Sequence, residues 1–112
     1  MVIAMQIRPR EPYTRTPRDR DPAYLAWIRT QPCATPDCRA GFVEAAHTGD
    51  RALGRKANDR NCIPLCLFHH QTGPQSYHRL GRRRFEAVHK LDINALVREL
   101  NAWYDSKRAK AS

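Results

Sequence analysis

Two pairs of potential metal ligands place the strongest constraint on how this chain can fold. Four residues separate Cys33 from Cys38, and two residues separate Cys66 from His69. Each spacing suits one half of a tetrahedral zinc site, and Pro64-Leu65 ahead of Cys66 gives the bend expected at a zinc knuckle. Such a site contributes directly to folding, which matters because a chain of 112 residues buries only a modest core.

A second set of ligands competes with this one. Cys62 could replace His69, which would give an all-cysteine site with Cys33, Cys38 and Cys66, although its C-x3-C half fits a knuckle less well. Four buried thiols without a metal are a third interpretation. The spacing favours the set of three cysteines with His69 and leaves the other two open.

The charge of the chain points to a polyanionic partner. Lys and Arg total 20 against 11 Asp and Glu, for a formal charge of +9, and 16 of the 20 are Arg. Arginine suits bidentate contacts with phosphate, so we expect binding to nucleic acid, mainly through backbone phosphates. No apolar run approaches the ~20 residues of a membrane span, and the seven residues before Arg8 are too short for a signal peptide. The sequence therefore predicts a cytoplasmic protein with no membrane association.

Composition divides the chain into three zones. Residues 8–22 hold five Arg and four Pro, so residues 1–21 are predicted to form a flexible basic arm, which either tracks phosphates or is a solvated linker. Residues 22–90 form the predicted central domain. Residues 91–112 form a predicted C-terminal helical extension.

Local signals place the main elements. Asp21 followed by Pro22 predicts the start of a helix, and residues 41–47 and 61–66 are typical of short strands. A helix is expected to begin near residue 66 or 67. Asp92 is the predicted N-cap of a further helix, whose apolar residues are Ile93, Leu96, Val97, Leu100 and Trp103. That apolar stripe could pack on the core or on a second subunit, so a homodimer is possible.

Histidines are concentrated near the predicted zinc site. His47, His69, His70 and His78 lie within 32 residues. A single histidine is usually a satisfied surface or core residue, but this concentration indicates a functional site.

Three segments carry a resemblance to a known family. Ala45-Ala46-His47 ends the first predicted strand, Asn61 opens the second, and Cys66-Leu-Phe-His-His70 is similar to a C-x-x-C-H ending with His69 in place of the second cysteine. In these features the sequence resembles HNH endonucleases of the ββα-metal superfamily. The run from Pro64 to His70, followed by Ser76-Tyr-His78, is similar more narrowly to small phage and prophage HNH proteins related to a recombination-enhancement nuclease.

The resemblance covers about residues 22–90 and implies a fold. That fold is α+β, with a zinc-stapled ββα-metal core (HNH, treble-clef-like) and flanking helices. It also implies a metal-dependent DNA endonuclease that acts in phage or prophage DNA processing or recombination.

The resemblance further assigns roles to residues. His47 would be the general base, and Asn61 would orient His47 or brace the loop. His70 would bind one catalytic divalent cation, with His78 as a second ligand; Mg²⁺, Mn²⁺, Ni²⁺ and Zn²⁺ all suit such sites. The family often has Asp or His just before the first histidine, where this chain has Ala46. His78, Asp50 or Asp59 could compensate, since strand alternation can place Asp59 on the same side as Asn61.

Basic residues on both sides of the second strand are the predicted phosphate contacts. They are Arg51, Arg55, Lys56, Arg79, Arg82, Arg83 and Arg84. Two alternatives to the nuclease remain. One is a catalytically silent, zinc-dependent nucleic-acid-binding module on the same fold, which Ala46 favours. The other is a nuclease toxin domain neutralised by an acidic partner, although nothing in the sequence resembles a delivery segment.

Overall fold

A two-stranded antiparallel sheet joins a short N-terminal helix to a helical C-terminal half. The computed structural model describes residues 20–49 and 58–111. Its elements are α1 (Pro22–Ile28), β1 (Val43–His47), β2 (Cys62–Cys66), a π-helical turn (Phe68–Thr72), α2 (Tyr77–Leu80), α3 (Arg82–His89) and α4 (Ile93–Ala111). The predicted α+β class is confirmed. Most of the predicted arm lies outside the described residues.

Helix α1 forms as the sequence predicts. The Asp21 side chain accepts a hydrogen bond from the Tyr24 amide at 3.1 Å, and Pro22 occupies the first helical position. This arrangement satisfies one of the amides that a helix leaves open at its start. The helix buries Tyr24 and Ile28 completely, so it covers one side of the core.

The hairpin of β1 and β2 forms the centre of the domain. The strands pair from His47 opposite Cys62 to Val43 opposite Cys66, and all five residues of β2 are buried. Pro64 has no amide hydrogen, but its carbonyl accepts a hydrogen bond from the Ala34 amide at 2.7 Å. The loop that carries the first two cysteines is thereby held against β2.

The segment after β2 differs from the expected α-helix. A π-helical turn forms instead, in which the Gly73 amide donates to the Phe68 carbonyl at 2.8 Å. A Cβ at Gly73 would lie 2.8 Å from that carbonyl oxygen and 2.9 Å from the Phe68 ring, so the wide turn requires glycine here. Sequence periodicity does not reveal this local geometry.

The C-terminal helix belongs to the same core as the hairpin. Asp92 caps α4 by accepting from the Ala95 amide at 3.0 Å, as predicted. Ile93 and Leu100 are buried with Ile63 and Leu65 of β2, so most of the apolar stripe packs on its own chain. None of the helices in the described ranges has the length and apolarity needed to cross a bilayer.

Candidate metal centre and histidine cleft

Three cysteines and a histidine converge at one end of β2. The ligand atoms of Cys33, Cys38, Cys66 and His69 all lie within 4.8 Å of one another. The Cys38 and Cys66 sulfurs are 3.8 Å apart, and the Cys66 sulfur is 3.2 Å from His69 Nδ1. A tetrahedral zinc with Zn–S bonds of about 2.3 Å places its sulfurs about 3.8 Å apart. The predicted group therefore could hold a structural metal such as zinc.

Main-chain amides position this group. The Cys66 amide lies 3.4 Å from the Cys33 sulfur, and the His69 amide lies 3.5 Å from the Cys66 sulfur. Such contacts favour sulfur atoms that carry negative charge. The Thr35 hydroxyl adds a contact of 3.1 Å to the Cys33 sulfur. The loop after α1, the end of β2 and the π-helical turn are thus drawn together around the four ligand atoms.

Three residues of this group have shifted pKa values, and for two of them the shift favours the form that binds a metal. A hydrogen bond from the Ala40 main chain lowers the pKa of Cys38, which favours the thiolate. Burial, and then the neighbouring His89, lower the pKa of His69, which favours the neutral imidazole. Burial raises the pKa of Cys66. Metal ligation requires thiolate and neutral imidazole, so a bound cation would have to offset the burial of Cys66.

Cys62 does not join the cluster. It pairs with His47 across the sheet, is fully buried, and lies at the opposite end of β2 from Cys66. Four residues of extended chain span about 13 Å, which is too far for both residues to bind one ion. The all-cysteine set therefore has no support in this geometry.

Histidines predicted to be catalytic meet at an open cleft beside the end of β1. The cleft has a volume of about 670 Å³ and is lined by His47, Thr48, Gly49, Tyr77, His78, Gly81 and Arg82. The ring of His70 packs against that of His78, with centroids 4.6 Å apart. The fold thus brings His47, at the end of β1, into one region with His70 and His78, which follow β2.

Each of two histidines in this region contacts a carboxylate. His47 Nε2 lies 2.9 Å from Asp59 Oδ1, and His70 Nδ1 lies 2.6 Å from Glu44 Oε1. Strand alternation had already suggested Asp59 as a candidate, but the sequence analysis missed Glu44. The available signal was an acidic residue three positions before His47 on the same short strand.

Asn61 contacts the residue that follows His47 in the chain. Within the described residues, its hydrogen bonds run through the main chain: its carbonyl accepts from the Thr48 amide at 2.8 Å and from the Thr48 hydroxyl at 3.1 Å. Asn61 also lines a smaller pocket with Arg82 and Asn94. Asp59 contacts the His47 ring, and both expected roles of Asn61, orienting His47 or bracing the loop, stay predictions.

The predicted phosphate-binding residues fall into three groups. Arg79, Arg83 and Arg84 are exposed. Arg82 is partly buried and donates to the Thr48 carbonyl at 2.9 Å and to Asn94 at 2.7 Å. Arg51, Arg55 and Lys56 lie outside the described residues.

Comparison of the chain with protein-family models, curated proteins and solved structures finds no match. None of these comparisons assigns the chain to a family.

Proposed function

We propose that this protein is a metal-dependent DNA endonuclease of the HNH type, with a structural zinc bound by Cys33, Cys38, Cys66 and His69. One observation carries the proposal. His47 and His78 line one open cleft together with Arg82, and His70 packs against His78. Phosphodiester hydrolysis needs a base for water, a cation on the phosphate and help for the leaving oxygen, and residues of these types lie here.

His47 is the proposed general base. Its side chain is 26 % exposed, so water can reach it from the cleft. Imidazole titrates near neutral pH, which suits proton removal from water. The water proton passes to the His47 ring, the water oxygen forms a bond to phosphorus, and the bond from phosphorus to the 3′ oxygen breaks.

His70 and His78 are the proposed ligands of the catalytic cation. Glu44 contacts His70 Nδ1, an arrangement that directs Nε2 of that ring toward a ligand. When bound, Mg²⁺, Mn²⁺, Ni²⁺ or Zn²⁺ would supply positive charge to the phosphate and to the leaving oxygen. Gln71 donates to the same Glu44 oxygen at 3.0 Å and helps to fix the carboxylate.

The start of α3 supports contact with DNA phosphates. Arg82, Arg83 and Arg84 occupy its first three positions, and its first turn holds no acidic residue. Positive charge is unfavourable there because the helix dipole is positive at its N-terminus. A bound phosphate would relieve this repulsion and would take hydrogen bonds from the arginines.

A catalytically silent nucleic-acid-binding module is the second candidate. Ala46 is fully buried in the core, so the position before His47 offers no metal ligand. Among the described residues, the Cys3His group is the one cluster in which three or more potential ligand atoms lie together. Structural zinc and the exposed arginines would serve such a module equally well.

Nicking of supercoiled plasmid separates the two candidates. Purified protein is incubated with Mg²⁺, Mn²⁺, Ni²⁺ or EDTA, beside His47→Ala. We expect cleavage that needs added metal and falls by about 10²–10⁴-fold in the variant, because the proton acceptor is lost. His89→Gln is the control for loss of a histidine outside the cleft; because the His89 ring packs against that of His69, with centroids 5.4 Å apart, zinc content is measured beside activity. Tight DNA binding without cleavage by folded, zinc-loaded protein would favour the silent module.

A further inference from the structure

We infer that Asp59 is a positioning residue that fixes the proton of the His47 ring on Nε2, an inference that deepens the proposed nuclease function and rests on it. Asp59 Oδ1 lies 2.9 Å from His47 Nε2. An ionised carboxylate can only accept a hydrogen bond, so the hydrogen between these atoms belongs to the imidazole. Neutral His47 then carries its lone pair on Nδ1, and that nitrogen takes the proton from water.

Asp59 is held in place at both oxygens. Its Oδ2 accepts a hydrogen bond from the Asp21 amide at 2.8 Å, and the residue is only 2 % exposed. A carboxylate buried to this degree must be matched by hydrogen bonds to stay ionised. The contacts with His47 and with the Asp21 amide supply two of them and leave the carboxylate little room to rotate.

The turn that carries Asp59 is fixed to two helices. Arg60 donates to Asp21 at 2.8 Å, to Asn101 at 2.9 Å and to Asp105 at 3.1 Å. Asn101 in return donates to the Arg60 carbonyl at 3.0 Å. These contacts tie the start of α1 and the middle of α4 to the residue next to Asp59.

The contact between Asp59 and His47 is more buried and more tightly held than a surface ion pair. An exposed pair contributes little and tolerates several side-chain conformations. Here the buried Asp59 carboxylate contacts His47 at the end of β1. The neighbouring Arg60 side chain is held by hydrogen bonds to three other residues. The arrangement orients one ring nitrogen, as a carboxylate does for a catalytic histidine in other hydrolases.

The ring protonation state can be measured without any activity. Nitrogen-15 NMR of the imidazoles in zinc-loaded wild-type protein, above the pH at which His47 titrates, reports which nitrogen carries hydrogen. We expect hydrogen on Nε2 of His47. Hydrogen on Nδ1 in the wild type would overturn the inference, whether or not the protein cleaves DNA.

Asp59→Asn supplies the kinetic test. Its amide can present an N–H to Nε2 and so favour the opposite tautomer. We expect kcat for plasmid nicking to fall by about 100-fold while KM and the metal concentration for half-maximal activity stay unchanged. Glu99→Gln is the control, because it removes one carboxylate from an exposed position on α4 that is not among the contacts of Arg60; it should keep wild-type kcat.

Three results would contradict this role. One is an unchanged His47 tautomer in Asp59→Asn, and another is unchanged kcat. The third is a large rise in the metal requirement, which would make Asp59 a metal ligand instead. If the wild type shows no cleavage at all, the proposed function fails, and the tautomer measurement still decides whether Asp59 orients His47.

Discussion

Tyr24 is a core residue whose polar group is poorly accommodated. Its ring is fully buried and packs edge-on against Tyr104, with centroids 5.0 Å apart, while the Arg60 guanidinium lies over it at 4.7 Å. Nothing in the described ranges hydrogen-bonds its hydroxyl. Burial raises the pKa of Tyr24 from 10.0 to about 12, although Arg60 acts in the opposite direction.

This shift predicts a loss of stability at alkaline pH. Above pH 10 the unfolded chain releases the Tyr24 proton while the folded chain retains it until about pH 12. The free energy of unfolding should therefore fall across that interval, because the unfolded state binds fewer protons. Tyr24→Phe should reduce the fall and, at neutral pH, raise the free energy of unfolding by about 1 kcal/mol by removing an unsatisfied hydroxyl.

Urea denaturation below pH 10 and between pH 10 and 12 measures both effects. Tyr104→Phe is the matched control, because it removes a neighbouring phenol while Tyr24 remains. An equally steep alkaline fall in Tyr24→Phe and in the wild type would show that another group causes it.

The residues of the candidate metal group were predictable from sequence, whereas the carboxylates that contact His47 and His70 were less so. The spacing of Cys66 and His69 is local, so it identifies half of the metal group directly. The contact of Asp59 with His47 joins residues 12 apart in sequence, and that of Glu44 with His70 joins residues 26 apart. Both depend on how the strands pair and on where the turn after β2 leads, which a single sequence does not specify.

At the scale of elements, the starts of α1 and α4 were predictable and the turn after β2 was not. Side-chain caps at Asp21 and Asp92 act within three residues, so their effect on α1 and α4 can be inferred locally. The two strands also form, each beginning later than predicted: β1 at Val43 and β2 at Cys62. The π-helical turn results from the close approach of Phe68 and Gly73, which hydrophobic periodicity does not detect.

Removing a positive charge from the first turn of α3 is expected to raise stability and to weaken DNA binding. Arg84 is exposed and occupies the third position of the helix. Arg84→Gln should raise the free energy of unfolding by about 0.3–1 kcal/mol, because it removes positive charge near the helix N-terminus. If Arg84 contacts a phosphate of duplex DNA, the slope of log affinity against log salt should become shallower by about 0.9.

Urea denaturation and DNA titrations at several salt concentrations test this pair of effects. Arg98→Gln is the matched control, since it removes one exposed positive charge from the interior of α4. Arg84→Gln should lose more affinity for DNA than Arg98→Gln does. Equal losses in the two variants would indicate that only net charge matters and that the start of α3 is not a phosphate site.

For the whole molecule, a metal bound by the Cys3His group would reinforce the main-chain contact that holds the cysteine loop against β2. A two-stranded sheet alone is at best marginally stable in water. The loop with Cys33 and Cys38, the end of β2 and the π-helical turn all meet at the four ligand atoms. The core cluster includes Cys33 and Cys66 beside residues of α1, the hairpin, α3 and α4, so candidate ligands are part of the packing that holds the domain together.

Metal removal is therefore expected to abolish most of the cooperativity of folding. Two variants distinguish the ligand set that contains His69 from the one that contains Cys62. His69→Ala should lose the bound zinc, measured as metal per chain, and its cooperative thermal transition, because structural zinc binding is coupled to folding. Cys62→Ala should keep one zinc per chain and cost only about 1 kcal/mol, since Cys62 is a buried strand residue outside the ligand group. Zinc retained by His69→Ala and lost by Cys62→Ala would instead establish the all-cysteine site. Excess EDTA added to the wild type should reproduce the unfolding of His69→Ala and should leave that variant unchanged.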